Sequence, residues 1–138
     1  MKRGFLLVAF ATLGPSGGGA QTLDEAISAF RAGTYETAIE SLGEISRSGS
    51  DLSPNDRRRA YVAYLSALTE VGRYEDALEA LTQAPPVLET ELANSAGEIY
   101  FALGRIDEAR VQFNRAVQGR AVDQHSARLK LAVIEWTY

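Results

Sequence analysis

A short turn motif occurs three times in this chain, and it constrains the fold more than any other feature of the sequence. The copies are residues 32–38, 71–77 and 103–109; in each, an acidic residue follows the Gly by three positions and an Ala by five. Glycine accepts the left-handed backbone that ends a helix, and an acidic side chain favours the first turn of the next one. The motif therefore predicts three helical elbows. It also predicts a close contact between two helices at each of Ala38, Ala77 and Ala109.

Apolar residues recur at intervals of three and four between the elbows, which predicts an all-α fold. The periodicity divides the chain into three helical hairpins at about residues 22–46, 54–85 and 88–119, followed by a capping helix at about 124–137. Residues 46–53 are polar and lack this periodicity, so we expect an enlarged loop there rather than a domain boundary.

Several residues are typical of helix starts and stops. Thr22 is predicted to cap the first helix, with Glu25 completing a capping box, and Thr34 to cap the second. Ser53 followed by a proline predicts the start of the third helix, and Asp123 the start of the last. The fourth helix must end by the proline pair at 85–86, because neither proline has a backbone N–H to donate.

The first 20 residues have the three parts of a secretory signal peptide. Lys2 and Arg3 precede an apolar run at 5–13, and small residues follow at 17–20. The predicted cleavage lies between Ala20 and Gln21, which leaves 21–138 as the mature domain, exported to a bacterial periplasm. The apolar run is shorter than the roughly 20 residues that span a bilayer, so a retained membrane anchor is the less favoured alternative.

Composition argues against several functions. The chain has no Cys, a single His and a net charge of -4, which disfavours thiol chemistry, multi-histidine metal sites and nonspecific nucleic-acid binding. Catalysis by His125 would need a reacting partner held beside it, and the nearby Asp123 is better used as a helix cap. The acidic pairs at 75–76 and 107–108 recur at one repeat position, so they are interpreted as partners of the helix dipole. No enzyme activity, cofactor or metal is therefore expected.

The spacing of the elbows resembles that of tetratricopeptide (TPR) repeats. The elbow glycines at 33, 72 and 104 are separated by 39 and 32 residues, and these two separations bracket the 34-residue TPR period. The third hairpin follows the family pattern most fully: Gly97, Tyr100, Ala109 and Phe113 match it, and Ala is substituted at 93 and 96. The second departs from it at Leu65, where the family has a small residue. The resemblance covers residues 22–138 and implies a TPR-like α-solenoid of three hairpins plus the capping helix.

In this family the first helix of each hairpin lines a concave groove that binds other proteins. Transferred by position, the resemblance places the following residues in the groove: Leu23, Ile27, Arg59, Val62, Ser66, Asn94, Glu98, Phe101, Arg128 and Ala132. Only Arg59, Asn94 and Arg128 suit the clamp that some members use for a terminal carboxylate, and Glu98 would repel that group. The groove therefore better suits an extended segment or a helix of another protein.

The predicted function is that of an exported scaffold or assembly factor that binds another protein. The alternatives are a membrane-tethered adaptor and an accessory protein or weak hydrolase of the cell envelope. Two further features have structural interpretations. Trp136 is predicted to cover the end of the core, and the three consecutive arginines at 57–59 are predicted to form a solvated helix face. For Trp136, an exposed interaction patch is the alternative.

Overall fold

The computed structural model describes residues 19–119 and 123–138, so the predicted signal peptide at 1–20 lies almost wholly outside the described residues. The described residues contain no β-strand and form seven α-helices: α1 Gly19–Arg31, α2 Tyr35–Ser48, α3 Pro54–Glu70, α4 Tyr74–Thr82, α5 Ala93–Ala102, α6 Ile106–Gln118 and α7 Gln124–Thr137. Consecutive helices pack against one another as three hairpins and a final helix. The predicted all-α solenoid is confirmed.

The three elbows have the backbone that the repeated glycine predicts. Gly33, Gly72 and Gly104 have φ angles of +80°, +76° and +73°, in the left-handed region. At the third elbow, the N–H of Arg105 donates to the carbonyl of Tyr100 at 2.9 Å, and the other two elbows have the equivalent bond. This is the Schellman motif, which satisfies carbonyls that the ending helix leaves unpaired.

The elbow alanines lie at the contacts between helices, as predicted. Ala38, Ala77 and Ala109 are each 0% exposed. Because protein interiors are closely packed, a larger side chain at these fully buried positions would overpack its neighbours. The repeated motif thus specifies both the end of one helix and the packing of the next.

Two of the predicted helix caps, Ser53 and Asp123, are confirmed, and a third, Thr34, is not. The Ser53 hydroxyl accepts the N–H of Asp56 at 3.1 Å, and the Asp123 carboxylate accepts the N–H of Ser126 at 3.0 Å. Thr34, in contrast, does not cap α2. Its hydroxyl donates to the carbonyl of Ala29 at 2.8 Å and so belongs to the preceding elbow.

Helix bounds differ from the prediction at three places: the start of α1, the end of α2 and the start of α5. Helix α1 begins at Gly19, so Thr22 lies within the helix instead of at its N-cap. Helix α2 extends to Ser48 and a 3-10 turn, Gly49–Asp51, follows, which shortens the predicted loop. Helix α5 begins at Ala93 instead of residue 88, because a 3-10 turn, Pro86–Leu88, comes directly after the proline pair.

The core consists of three hydrophobic clusters in sequence along the stack. The first joins α1, α2 and the start of α3, the second joins α2 to α5, and the third joins α5, α6 and α7. In the third cluster, α7 contributes Ala127 and Ile134, both 0% exposed. Trp136 is 92% exposed, so the prediction that it covers the core is wrong. Ile134, two residues earlier, closes the core instead.

Candidate functional site

Arg59 belongs to an ion-pair network that connects α3 with α1. Its guanidinium donates to Asp24 at 2.7 Å and to Asp56 at 2.9 Å. The hydrogen bond to Asp24, followed by the one to Asp56, raises the pKa of Arg59. Two carboxylates already compensate this cation, so Arg59 offers little charge to a partner.

The remaining predicted residues of α3 form a short half-buried row. Val62 and Ser66 are one helical turn apart and both are partly exposed. The Ser66 carbonyl accepts the hydroxyl of Thr69 at 2.9 Å, within the same helix. Val62 also packs against the second hydrophobic cluster. This row is small and nearly neutral.

The α5 row is the most distinctive part of the predicted groove. Asn94 is 8% exposed, and its Oδ1 atom has no hydrogen-bond partner among the described residues. Glu98 accepts the hydroxyl of Ser126 at 3.4 Å, and the Lys130 ammonium lies 5.4 Å from the centre of the Phe101 ring. The spacing of Asn94, Glu98 and Phe101 places them on one face of the helix, next to α7.

The buried residues of α7 define how this helix corresponds to α5. Ala127 and Ile134 are buried seven residues apart, as Leu92 and Ile99 are in the α5 segment. Leu92 and Ala127 are 35 residues apart, and so are Ile99 and Ile134; this separation is one more than the 34-residue family period. The packing of α7 is therefore shifted by one residue from the register that the 34-residue family spacing predicts.

This shift changes which α7 residues continue the α5 row. Leu129, Val133 and Trp136 occupy the positions equivalent to Asn94, Glu98 and Phe101. Arg128 and Ala132, which the family spacing predicts for this row, are both exposed and lie one residue earlier in α7. Only packing reveals the extra residue, because α7, unlike α1, α3 and α5, is not ended by an elbow glycine from which to count.

Two predicted groove residues of α1 lie in the core. Leu23 and Ile27 are 0% and 8% exposed and pack in the first hydrophobic cluster with Ala38 and Leu42. They do not line an open surface, which corrects the prediction. The family pattern predicts both residues in the groove, but their side chains lie in a cluster that α1 forms with α2 and the start of α3.

The charged pairs at the elbows interact within the chain. Arg73 donates to Asp76 at 2.6 Å and Arg105 to Glu108 at 2.7 Å, each pair three residues apart. The hydrogen bond from Arg105 lowers the pKa of Glu108. These acids also lie in the first turns of α4 and α6, where the helix dipole favours them. Their arrangement has a structural explanation.

The three consecutive arginines also have partners within the chain. Arg57 donates to the carbonyl of Gly49 at 2.8 Å, and Arg58 donates to Asn55 at 2.6 Å. Arg59 forms the ion pairs with α1 described above. The arginines therefore hold the start of α3 and its preceding turn.

With this geometry in view, comparison with known proteins assigns the family. The model of the tetratricopeptide repeat-like domain matches residues 16–135, so the chain belongs to this family. No curated protein and no solved structure matches the chain. Over residues 19–119 and 123–138, no helix has the length and apolar character needed to cross a membrane. The same residues contain no cluster of three or more His, Cys, Asp or Glu suited to a metal.

Proposed function

We propose that this protein is an exported TPR-like scaffold or assembly factor that binds a segment of another protein and performs no catalysis itself. The binding face is the adjacent rows of α3 and α5, with Val62 and Ser66 on one helix and Asn94, Glu98 and Phe101 on the other. The fold supports a protein partner, because repeat stacks of this kind expose long side-chain rows for protein recognition.

The observation that carries the proposal is the buried, unpaired Oδ1 of Asn94. Leaving a buried polar group without a hydrogen bond costs about 1–3 kcal/mol, and a donor supplied by a partner would offset that cost. An Asn side chain can both donate and accept, and small rotations of its amide allow it to pair with the backbone of an extended segment or the polar side of a helix. Partner binding gives this costly group a role.

The neighbouring side chains describe the partner's chemistry. Glu98 is partly exposed and favours a basic or N–H group, and Phe101 provides a half-buried apolar surface one turn away. The carboxylate of Glu98 disfavours a partner that presents its own C-terminal carboxylate. The groove therefore suits a segment with a basic residue next to an apolar one.

A binding titration tests this assignment. A partner is first identified by co-purification with the full chain from the cell envelope, then purified and titrated against variants. Asn94→Ala and Glu98→Lys should each weaken the Kd at least tenfold, while Glu40→Lys on the exposed side of α2 should leave it unchanged. Arg128→Ala belongs in the same series, since the family pattern also places Arg128 in the groove. Unchanged affinity in Asn94→Ala and Glu98→Lys, with normal melting curves, would place binding elsewhere.

Export forms the second part of the proposal, and it rests on the tripartite sequence of residues 1–20. Helix α1 begins at Gly19, so cleavage after Ala20 removes two helical residues and leaves Thr22 close to the new terminus. Mass spectrometry of the protein recovered from its native envelope should find Gln21 as the first residue. Recovery with Met1 in the membrane fraction would instead support the tethered adaptor.

A further inference from the structure

Helix α7 has an apolar stripe on the side opposite the core. Leu129, Val133 and Trp136 are 63%, 47% and 92% exposed, and we call them the outer stripe. Their spacing of four and three residues places them on one helix face. The opposite face contains Ala127 and Ile134, which pack against α5 and α6. The outer stripe therefore points away from the rest of the described molecule.

Charged residues of opposite sign lie along one edge of the outer stripe. Arg128 and Glu135 are seven residues apart, two helical turns, so they share that edge. The Glu135 carboxylate also forms an ion pair with the Arg110 guanidinium of α6, with an N–O distance of 3.2 Å, which shows that this edge is the α6 side. On the other edge, Ser126 and Lys130 contact α5.

This arrangement is complementary to itself in one orientation. When two identical helices pack antiparallel, residues near the start of one lie beside residues near the end of the other, and matching edges meet. Arg128 of each copy then lies beside Glu135 of its partner, and Leu129 packs between Val133 and Trp136 of its partner. A parallel pair would lack this match, because it brings each residue of α7 close to its own copy at the same height along the helix.

We propose that the outer stripe is the docking site for a second copy of this chain, with the two α7 helices antiparallel across a twofold axis. The exposed parts of the three side chains, summed over two copies with their flanking residues, amount to roughly 1,000 Å². This lies at the lower end of specific interfaces, so the dimer forms and dissociates with concentration instead of being permanent. The outer stripe continues the α5 row along the stack, but the inference does not depend on the proposed function, because it rests only on the exposure and the charges of α7.

Sedimentation equilibrium of the full chain over a wide concentration range tests the dimer. The average mass should rise from that of one chain toward twice that value. Leu129→Glu and Trp136→Glu should keep the mass at that of one chain at every concentration, with an unchanged helical circular dichroism spectrum. The matched control is Val87→Glu, which places the same charge at a residue 77% exposed in the turn before α5. It should dimerise normally.

A mixing experiment tests the antiparallel orientation. In Arg128→Glu alone, two acids face each other at both contacts, and in Glu135→Arg alone, two bases do. Each variant by itself should dimerise at least tenfold more weakly than the parent chain. An equimolar mixture places an acid beside a base at both contacts and should regain the dimer.

Three results would overturn the proposal. One is a concentration-independent mass of a single chain for the parent protein. Another is a dimer that persists in Leu129→Glu and Trp136→Glu, which would place the contact on a different surface. The third is a mixture of the two charge variants that associates no better than either alone, which would exclude the antiparallel pairing. None of these results affects the titration of the binding face, so the two proposals can fail separately.

Discussion

Two residues of α5 are unusual at the level of single side chains. Gly97 has no space for a side chain, and Asn94 has a buried oxygen without a hydrogen-bond partner. A Cβ atom built on Gly97 would lie 2.6 Å from the ring of Phe113, far inside van der Waals contact. Phe113 is itself 0% exposed and cannot move toward solvent without leaving the core. Gly97 therefore sets the distance between α5 and α6, whereas Asn94 on the same helix has a buried Oδ1 with no hydrogen-bond partner among the described residues.

We expect Gly97→Ala to lower the free energy of unfolding by about 1–3 kcal/mol, because the added methyl group overpacks the Phe113 ring. Urea denaturation followed by circular dichroism measures the change. Gly43→Ala is the matched control, since its Cβ would meet the Tyr64 hydroxyl at 3.1 Å, the far end of a partly exposed side chain. An equal loss in the two variants would contradict the role of Phe113.

At the scale of the helices, each elbow needs a glycine because of its backbone conformation and not because neighbouring atoms crowd it. A Cβ added at Gly72 meets no atom within 4 Å, so the φ of +76° is the only obstacle to a side chain there. The elbow also carries the ion pair between Arg73 and Asp76. Its structural demand is therefore local, which explains why it could be recognised from a short motif.

Gly72→Ala should destabilise the protein by about 1–2 kcal/mol, the cost of left-handed backbone for a residue with a Cβ. Gly72→Asn should cost less, because asparagine tolerates this region better than other residues. Thermal melts of the two variants and the parent chain give the comparison. If alanine and asparagine were equally costly, side-chain crowding and not backbone conformation would limit the elbow.

The start of α3 is stabilised by a cap that also affects an acidic side chain. The hydrogen bond from the Ser53 hydroxyl, followed by the one from Arg59, lowers the pKa of Asp56. A carboxyl group with a lowered pKa contributes stability above its ordinary pKa and loses that contribution as the pH falls through the lowered value. The cap therefore helps the fold at neutral pH and fades in acid.

Ser53→Ala should cost about 1 kcal/mol at pH 7, the usual contribution of an N-cap, and should bring the pKa of Asp56 back toward its ordinary value. A chemical-shift titration of the Asp56 carboxyl carbon, together with urea melts at pH 7 and in acid, measures both effects. Ser50→Ala is the control, because the Ser50 hydroxyl donates only to its neighbour Asp51 within the 3-10 turn. A pKa of Asp56 that does not rise in Ser53→Ala would show that Arg59 alone lowers it.

At the scale of the whole molecule, stability is distributed over three clusters that each join neighbouring helices. Contacts run from each helix to the next and to the first helix of the adjacent hairpin. Such a stack behaves as a row of interacting units, so damage at one end weakens nearby units most. Helix α7 closes one end through Ile134.

Truncation of this closing contact should have a local effect. Ile134→Ala should cost about 2–5 kcal/mol, because it leaves a cavity in a fully buried site. Native-state hydrogen exchange should show the greatest loss of protection in α5, α6 and α7 and the least in α1 and α2. Val111→Ala, at a residue 57% exposed on α6, should leave the exchange pattern unchanged. A uniform loss in Ile134→Ala would mean that the stack unfolds as one unit.

Much of the fold was predictable because its signals are local. A glycine, an acid and an alanine at constant spacing are sufficient to predict an elbow, and they placed the helices to within a few residues. The largest error in a helix start was at α5, where the prolines at 85–86 lead into a 3-10 turn instead of an immediate helix. Hydrogen bonding in that short turn depends on packing that no periodicity describes.

The candidate site was only partly predictable. The faces shared by Val62 and Ser66, and by Asn94, Glu98 and Phe101, follow from helical spacing alone. The unpaired state of Asn94 and the ion pair that ties Arg59 to Asp24 depend on how helices approach one another. The two residues of that ion pair are 35 apart in the chain, so spacing within one helix says nothing of their contact.

By itself, the sequence determined the helical class, the three elbows and the alanines at the helix contacts, because each depends on backbone conformation or side-chain size within a few residues. Only the tertiary structure decided the register of α7, in which Ile134 is buried and Trp136 is exposed. No elbow glycine ends that helix, so the sequence alone allows adjacent registers. The physical reason for this register is the third cluster. One face of α7 packs there against α5 and α6, and the outer stripe on the opposite face is therefore exposed to solvent.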